Sequence, residues 1–193
     1  MEHEAPAETL IIDGSPRAGN TQYVCERIKA GLDHPGRIIK VFNQKILPCT
    51  GCMACNKKLP CGLDKKDDMP EIREAIANAR VLVVGAPNYW DGVPGHLRTM
   101  IDRLNPFFGD GHVDERVYGM PYLQFMVGGR ADQDFCIEQG LGGLKRHLGL
   151  QQLDSYYSQA VKPRDLRKQP EAIQVAIDDM IRKINAAVAA SKR

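Results

Sequence analysis

Four of the six cysteines lie within one short stretch of the chain, at Cys49, Cys52, Cys55 and Cys61. Three thiols at two-residue gaps can converge on one small metal group, and iron–sulfur clusters are held by thiolates in runs of this kind. Structural zinc more often takes cysteine pairs that are separated by a longer span. Thiols that are free or paired in a disulfide are the third interpretation. The spacing therefore favours a [4Fe–4S] cluster, with zinc and unbound thiols as alternatives.

A second group of polar residues forms the turn Gly14–Thr21, with the sequence GSPRAGNT. An apolar strand precedes this turn and a helix follows it, so backbone N–H groups at the helix N-terminus would face an anion. Ser15, Arg17, Asn20 and Thr21 could add hydroxyl, guanidinium and amide donors. The turn has neither the Gly-Lys-Ser/Thr of a Walker loop nor the Gly-x-Gly-x-x-Gly of a dinucleotide site. A plain polar turn is the alternative, but the position after the first strand predicts a monophosphate site.

Two turns after later strands are rich in glycine, and the first of them also carries aromatic residues. The first, Pro87–Gly95 (PNYWDGVPG), holds the single Trp beside a Tyr. A flat heteroaromatic ring needs backbone polar groups along its edge and apolar contacts on its faces, and this turn can supply both. The alternative is a surface turn whose aromatic rings pack against the sheet. Gly128 and Gly129, after the fourth strand, form a third open turn that faces the same crevice, although a Gly pair by itself more often marks a plain turn.

The elements that position these turns alternate along the chain. Hydrophobic period and turn signals predict strands at 9–13, 37–42, 81–86, 122–127 and 153–159, and helices at 20–31, 70–79, 95–104, 132–148 and from 169 onward. This alternation predicts an α/β fold, a doubly wound five-stranded parallel sheet with a Cys-rich insertion, 43–69, after the second strand. Ligands of such folds lie at the carboxyl ends of the strands.

The chain resembles the flavin reductase branch of the flavodoxin-like superfamily. GSPRAGNT is similar to the FMN phosphate loop of that family, and PNYWDGVPGHLRTMIDR is similar to its isoalloxazine loop and following helix. The resemblance implies homodimers or homotetramers whose flavin sites lie near subunit contacts. It also implies bound FMN, with the phosphate held by Ser15, Arg17, Asn20 and Thr21, the ring lined by residues 87–92, and Gly128 and Gly129 across from it.

The cysteine pattern resembles that of the iron–sulfur flavoproteins, a subgroup of the same family. This likeness implies a [4Fe–4S] cluster with Cys49, Cys52, Cys55 and Cys61 as its ligands. Many flavin reductases carry similar cysteine-rich insertions followed by an Asp-Asp-Met segment, which is Asp67–Met69 here. Free or disulfide-bonded thiols and zinc therefore stay open as alternatives.

Length and composition limit the class of protein. The 193 residues are 43% hydrophobic and 26% charged, which predicts one globular domain over 1–193. A net charge of +2 and the lack of a basic stripe argue against a nucleic-acid partner. No apolar run reaches the ~18 residues of a membrane helix. The acidic start, MEHEAPAETL, lacks the apolar segment of a signal peptide, so we expect a cytoplasmic protein without a membrane partner.

Together these motifs predict an FMN-dependent oxidoreductase, or electron-transfer flavoprotein, that also carries the cluster. It would pass electrons from a one-electron donor such as ferredoxin to a two-electron acceptor, and no side chain need act as a catalytic acid or base. The first alternative is a cluster-free NAD(P)H-dependent FMN or quinone reductase. The second is a non-enzymatic redox-sensing or zinc-binding module.

Three further features carry expectations of their own. The segment 105–121 lacks a clear period and contains Phe107 and Phe108, which predicts a lid or a subunit contact. Asp102 and Arg103 are expected to form an ion pair at a helix end. The two isolated cysteines, Cys25 and Cys136, are expected to be small buried residues.

Overall fold

The computed structural model describes residues 7–129, 132–160, 162, 165–168 and 170–191. The strands are β1 (Thr9–Asp13), β2 (Gly36–Lys40), β3 (Val81–Pro87), β4 (Pro121–Gly128) and β5 (Gln151–Gln159). The helices are α1 (Asn20–Gly31), α2 (Met69–Asn78), α3 (Gly95–Asp102), α4 (Gln133–Gly140), α5 (Gly142–Leu148), α6 (Asp165–Lys168) and α7 (Glu171–Ala190). Short 3₁₀ turns span Val41–Asn43, Cys55–Lys57 and Asn105–Gly111.

The described strands form one parallel sheet in the order β2-β1-β3-β4-β5. The chain runs outward from β1 to β2 on one side and then from β3 to β5 on the other. The direction therefore reverses between β1 and β3, and a crevice opens at the carboxyl ends of these two strands. This arrangement confirms the predicted flavodoxin-like α/β fold, and it places the turns after β1 and β3 beside each other.

Side chains that alternate along the strands build a hydrophobic core on each face of the sheet. Along β1, Ile11 packs on one face with residues of α1 and α7, while Leu10 and Ile12 pack on the other with residues of α2 and α3. All five residues of β1 are buried. Because helices cover both faces of the sheet, the central strand β3 is a continuous buried apolar run, and polar groups reach a ligand at the strand ends.

The helix predicted over 132–148 is two helices, α4 and α5, with a break at Leu141. Gly140 and Gly142 flank this break, and glycine is unfavourable in a helix interior because it loses the most backbone freedom. The predicted strand 37–42 ends at Lys40, where the chain enters a 3₁₀ turn. Helix α6 lies outside the predicted elements, and the remaining boundaries agree with the predicted ones to within two residues, as is usual at frayed ends.

The longest helix, α7, has 20 residues and is amphipathic. Ile177 and Ile184 are buried against the sheet, while Asp178 and Arg182 are exposed. Across the described residues, no helix is both long enough and apolar enough to cross a membrane.

Candidate functional site

A cleft of about 200 Å³ opens at the carboxyl ends of β1, β3 and β4. Nine residues that the sequence motifs singled out line it: Ser15, Arg17, Asn20, Thr21, Pro87, Asn88, Tyr89, Gly128 and Gly129. Five others complete the lining: Pro16, Gly19, Val127, Ala160 and Lys162. Trp90 and Asp91 lie in an adjoining hollow that shares Asn88, Tyr89 and Gly129. Gly92 lies in the same turn as Trp90 and Asp91.

The start of the β1–α1 turn is shaped by Asp13. One of its carboxylate oxygens, Oδ1, accepts hydrogen bonds from the backbone N–H of Ser15 at 2.9 Å and from the Ser15 hydroxyl at 2.6 Å. Its other oxygen, Oδ2, is buried without a hydrogen-bond partner among the described residues. Burial raises the pKa of Asp13, although the two bonds from Ser15 act in the opposite direction. The Ser15 hydroxyl also lies 3.2 Å from the Arg17 backbone oxygen, so Ser15 helps to set the shape of the turn.

Helix α1 starts directly at the cleft. Its N-cap is Gly19, and no side chain of the described residues caps it, so N–H groups of the first turn are left for another acceptor. The first turn contains no acidic residue. Asn20 does not cap the helix: its Nδ2 donates to the Lys162 backbone oxygen at 3.0 Å, and its Oδ1 accepts from the Leu166 N–H at 3.2 Å. These bonds tie the segment after β5 to the turn between β1 and α1.

The charged groups that line the cleft are all positive. Of the described lining residues, Arg17 and Lys162 carry charge, and both side chains are exposed. The sequence motifs identified Arg17 but missed Lys162. The available signal was its position just after β5, because the carboxyl ends of all parallel strands meet at the same edge of the sheet.

The turn after β3 is a tight reversal closed by two backbone hydrogen bonds. Tyr89 N–H donates to the Gly92 oxygen at 2.9 Å, and Gly92 N–H donates to the Tyr89 oxygen at 3.0 Å. Between them, Trp90 and Asp91 adopt φ values of 51° and 58°, in the left-handed region. A two-residue reversal needs positive φ at both central positions, and this conformation is unfavourable for Trp, more so than for Asp. Trp90 is fully exposed, so its indole is available at the edge of the cleft.

Asn88 connects this turn to α4 and β5. Its backbone N–H donates to the Val127 oxygen at 2.8 Å, and its Nδ2 lies 3.0 Å from the Tyr157 hydroxyl and 3.4 Å from the Cys136 sulfur. The Cys136 thiol in turn donates to Asp91 Oδ1 at 3.3 Å. Burial and the nearby Asp91 raise the pKa of Cys136, so its thiol keeps its proton for this bond. Cys136 is buried as expected, but its contacts also make it part of the site.

Gly128 lets these side chains approach the end of β4. A Cβ atom at this position would lie 2.2 Å from the Tyr157 hydroxyl oxygen and 2.6 Å from the Asn88 Cβ. Such distances are far below van der Waals contact, so only glycine fits here without a shift of its neighbours. The motifs identified Gly128 only as part of an open turn. The structure shows that glycine is required there because Tyr157 of β5 and Asn88 approach its backbone closely.

The four clustered cysteines lie on a loop away from this cleft, and all are free thiols. Cys49 and Cys55 face a hollow of about 530 Å³ beside α3 and α5. The sulfur of Cys49 accepts from the Gly51 N–H at 3.5 Å, and the sulfur of Cys55 accepts from Asn105 Nδ2 at 2.9 Å. By donor chemistry, four thiols, two of which accept an N–H hydrogen bond, fit an iron–sulfur cluster. Among the described residues, however, no three His, Cys, Asp or Glu side chains converge as metal ligands.

Arg103 anchors the base of this loop. Its side chain is 2% exposed and donates to the Leu47 oxygen at 2.8 Å and to both Asp67 and Asp64. Burial opposes ionisation of Asp67, but the Arg103 guanidinium and the backbone N–H groups of Leu47 and Met69 together outweigh that effect and hold the pKa of Asp67 below its ordinary value. The expected pair of Asp102 with Arg103 is wrong, because Asp102 pairs with Arg98 one helical turn earlier, at 3.1 Å.

The segment 105–121 begins as the 3₁₀ turn Asn105–Gly111, which packs against the cysteine loop. Phe107 is buried in the core, with 3% of its surface exposed, while Phe108 is partly exposed at the hollow beside Cys49 and Cys55. Phe107 is therefore a core residue of the chain's own fold. The start of this segment supports the insertion, which the sequence pattern did not indicate.

Relatives of the chain include several iron–sulfur flavoproteins. One from Archaeoglobus fulgidus is 35% identical over 98 residues, covering 49% of this chain and 47% of that protein. One from Methanosarcina thermophila is 32% identical over 99 residues, covering 48% and 49%. The chain thus spans about half the length of the curated relatives it matches.

Solved structures with the same fold cover almost the whole chain. The apo form of an NADH:FMN oxidoreductase superposes with a TM-score of 0.61 at 20% identity, covering 96% of this chain and 90% of that one. An FMN-dependent NADH-azoreductase from Bacillus anthracis in complex with FMN gives 0.61 at 17% identity, covering 93% and 99%. At these identities the likeness establishes the fold.

The family assignment comes from a match over most of the chain. Residues 7–162, which include β1 to β5 and every turn of the cleft, match the family described as NADPH-dependent FMN reductase. This range contains both motifs that carried the resemblance, and the similarity to iron–sulfur flavoproteins agrees with the cysteine pattern. The chain therefore belongs to the NADPH-dependent FMN reductase family.

Proposed function

We propose that this protein is an FMN-dependent oxidoreductase that binds FMN in the cleft between the ends of β1, β3 and β4. The single observation that carries the proposal is the juxtaposition of two unlike surfaces in that cleft. One end has the uncapped start of α1 with Arg17 and Lys162. The other end has the tight aromatic turn after β3 with Gly128 and Gly129. A phosphate joined to a flat heteroaromatic ring matches both ends.

At the phosphate end, backbone N–H groups of α1 and the side chains of Arg17 and Lys162 would hold the FMN phosphate. The helix dipole favours negative charge at this terminus. Asp13 lies behind the turn, where its hydrogen bonds with Ser15 keep the backbone in place. Arg17 follows the first strand of the chain, β1, and Lys162 follows the last, β5. The two cations therefore come together only when the whole sheet has formed.

At the ring end, the residues would orient the ring and control access to it. Pro87, Asn88 and Tyr89 line the cleft, and Asn88 is held by Tyr157 and Cys136. The close approach of Tyr157 and Asn88 to Gly128 leaves no room for a side chain there. When bound, FMN supplies one- and two-electron redox chemistry at its ring, so the protein's part is to position the ring and to tune its environment.

We further propose that Cys49, Cys52, Cys55 and Cys61 hold a [4Fe–4S] cluster, which would exchange single electrons. The spacing of the thiols and the N–H donors at two of the sulfurs support this proposal. The loop also contains Gly51, Met53 and Lys58 at positive φ, and it would have to close for its thiols to converge.

A cluster-free reductase is the second candidate, because the described thiols do not converge. The electron donor would then be NAD(P)H, in accord with the family description. The hollow beside Trp90 and Gly129 is open to such a planar donor or to an acceptor. For the cluster-containing protein, in contrast, we propose a ferredoxin-type protein as the electron donor.

We also propose that the protein is a homodimer or homotetramer with its flavin sites near subunit contacts. Tyr89 and Trp90 line the cleft and its adjoining hollow, and their exposed fractions are 43% and 103%. Aromatic side chains of this kind are enriched at protein interfaces.

The first experiment is an absorption spectrum of protein purified without oxygen, with iron and acid-labile sulfide measured on the same sample. Flavin bands with added absorbance near about 400 nm and about four irons per chain would support both cofactors. Flavin bands without iron, together with rapid bleaching by NADPH, would favour the cluster-free reductase. A colourless protein with stoichiometric zinc would contradict both and favour a binding module.

A further inference from the structure

One short segment of the chain holds the cysteine loop at two separate places. Arg103, at the end of α3, binds the base of the loop through Leu47, Asp64 and Asp67. Two residues further on, Asn105 reaches the sulfur of Cys55. The base of the loop and one of its thiols are therefore positioned by the same segment.

The contact with Cys55 is specific in its orientation. Asn105 Nδ2 lies 2.9 Å from the Cys55 sulfur and also 2.9 Å from Asn56 Oδ1. An amide nitrogen has two N–H donors, and here the Asn56 oxygen takes one while the sulfur takes the other. The backbone is close as well, since a Cβ atom on Gly109 would lie 2.5 Å from the Cys55 carbonyl oxygen. These contacts keep an N–H group, rather than the amide oxygen, directed at the sulfur.

An N–H group directed at a sulfur has a defined electrostatic effect on a cluster. Reduction of a cluster adds one electron, and the negative charge on its cysteine sulfurs grows. A hydrogen bond to sulfur stabilises the more negative, reduced form more than the oxidised form, which raises the reduction potential. We propose that Asn105 is a positioning residue that donates an N–H···S hydrogen bond to Cys55 and thereby raises the reduction potential of the cluster. This inference rests on the cluster component of the proposed function.

The test measures the midpoint potential of the cluster in anaerobic redox titrations with dithionite, with iron per chain measured on each sample. The variants are Asn105→Ala, which removes the donor, and Asn105→Asp, which keeps the shape but replaces the donor with a carboxylate oxygen. Asn78→Asp is the matched control, because it makes the same charge change at an exposed residue of α2 that contacts Glu74. The potential of bound FMN in each variant serves as an internal reference.

We expect the cluster potential to fall in the order wild type, Asn105→Ala, Asn105→Asp. The FMN potential and the Asn78→Asp variant should stay at wild-type values. If Asn105 had a purely structural role, the isosteric Asn105→Asp variant would not shift the cluster potential further from the wild-type value than Asn105→Ala does. Equal cluster potentials in wild type and Asn105→Ala, or loss of iron from both variants, would overturn the inference alone. Wild-type protein that holds FMN but no iron, even after reconstitution with iron and sulfide, would overturn the cluster proposal along with it.

Discussion

The Tyr157 hydroxyl lies 3.0 Å from the Asn88 amide nitrogen, and this hydrogen bond joins the end of β5 to the turn after β3. The same amide nitrogen contacts the sulfur of Cys136, whose thiol donates to Asp91. The strained turn at Trp90 and Asp91 is therefore held from two sides, by β5 and by α4. The shape of the proposed ring site depends on residues outside the motif that identifies it.

Removal of the Tyr157 hydroxyl should weaken the binding of FMN. Tyr157→Phe keeps the ring but deletes one hydrogen bond of about 0.5–1.5 kcal/mol. If that bond orients Asn88 toward the bound ring, the Kd for FMN should rise about 2- to 10-fold. Fluorescence titration of FMN with apo-protein measures this change directly.

The control for that variant is Tyr156→Phe, which makes the same chemical change one residue earlier in β5. The Tyr156 hydroxyl bonds to Asp179 and Lys183 on α7, away from the cleft. The Tyr156→Phe variant should therefore bind FMN with the same affinity as the wild-type protein. Equal Kd values in all three proteins would show that the Tyr157 bond has no part in binding.

Lys162→Ala should reduce the affinity for FMN but leave the affinity for riboflavin unchanged, because riboflavin lacks the phosphate. One charge-assisted hydrogen bond contributes about 1.5–3 kcal/mol, so we expect the Kd for FMN to rise about 10-fold or more at low salt. Lys168→Ala removes the same charge from nearby α6, which does not line the cleft. A loss of riboflavin affinity equal to that of FMN would contradict a phosphate role for Lys162.

Asp13 should make the stability of the apo-protein depend on pH. Because burial raises its folded-state pKa, the folded protein holds this proton more tightly than the unfolded chain does. Its contribution is therefore present at low pH and is lost as the pH rises from near the ordinary value of 3.8 through the raised pKa. Asp13→Asn cannot ionise, so its Tm relative to wild type should increase over that range. Thermal unfolding at a series of pH values tests this, and a Tm difference that is constant with pH would contradict it.

Arg103→Met should destabilise the fold strongly. The Asp67 side chain is fully buried, and removal of its partner leaves an uncompensated charge, a change that costs about 3–5 kcal/mol. Arg98→Met breaks the exposed pair with Asp102 and should cost less than about 1 kcal/mol. Urea denaturation of both variants measures the difference. Similar free energies of unfolding would mean that the Asp67–Arg103 pair is not the anchor of the loop.

The alternation of strands and helices could be predicted from sequence because it depends on local pattern. The apolar run of β3, the Gly-Ser-Pro after β1 and the aromatic turn around Trp90 each reflect residues that are neighbours in the chain. The rule that parallel strands end at one edge then predicts that these turns meet, and the cleft confirms that they do. Local pattern did not locate the break at Leu141, where glycines weaken an otherwise helical period.

The fold class, the family and most of the residues that line the cleft can thus be predicted from sequence. Which side chains hold these cleft residues in place depends on the tertiary structure. Asn20 meets Lys162 across 142 positions of sequence, Asn88 meets Tyr157 across 69, and Asn105 meets Cys55 across 50. Such pairs have no signature of period or turn chemistry, because their contact exists only after the sheet has brought distant strand ends and loops together. The same physical reason applies to the cysteine loop. The spacing of the cysteines identifies the candidate ligands, but whether their sulfurs converge on a cluster depends on the segments that pack against the loop.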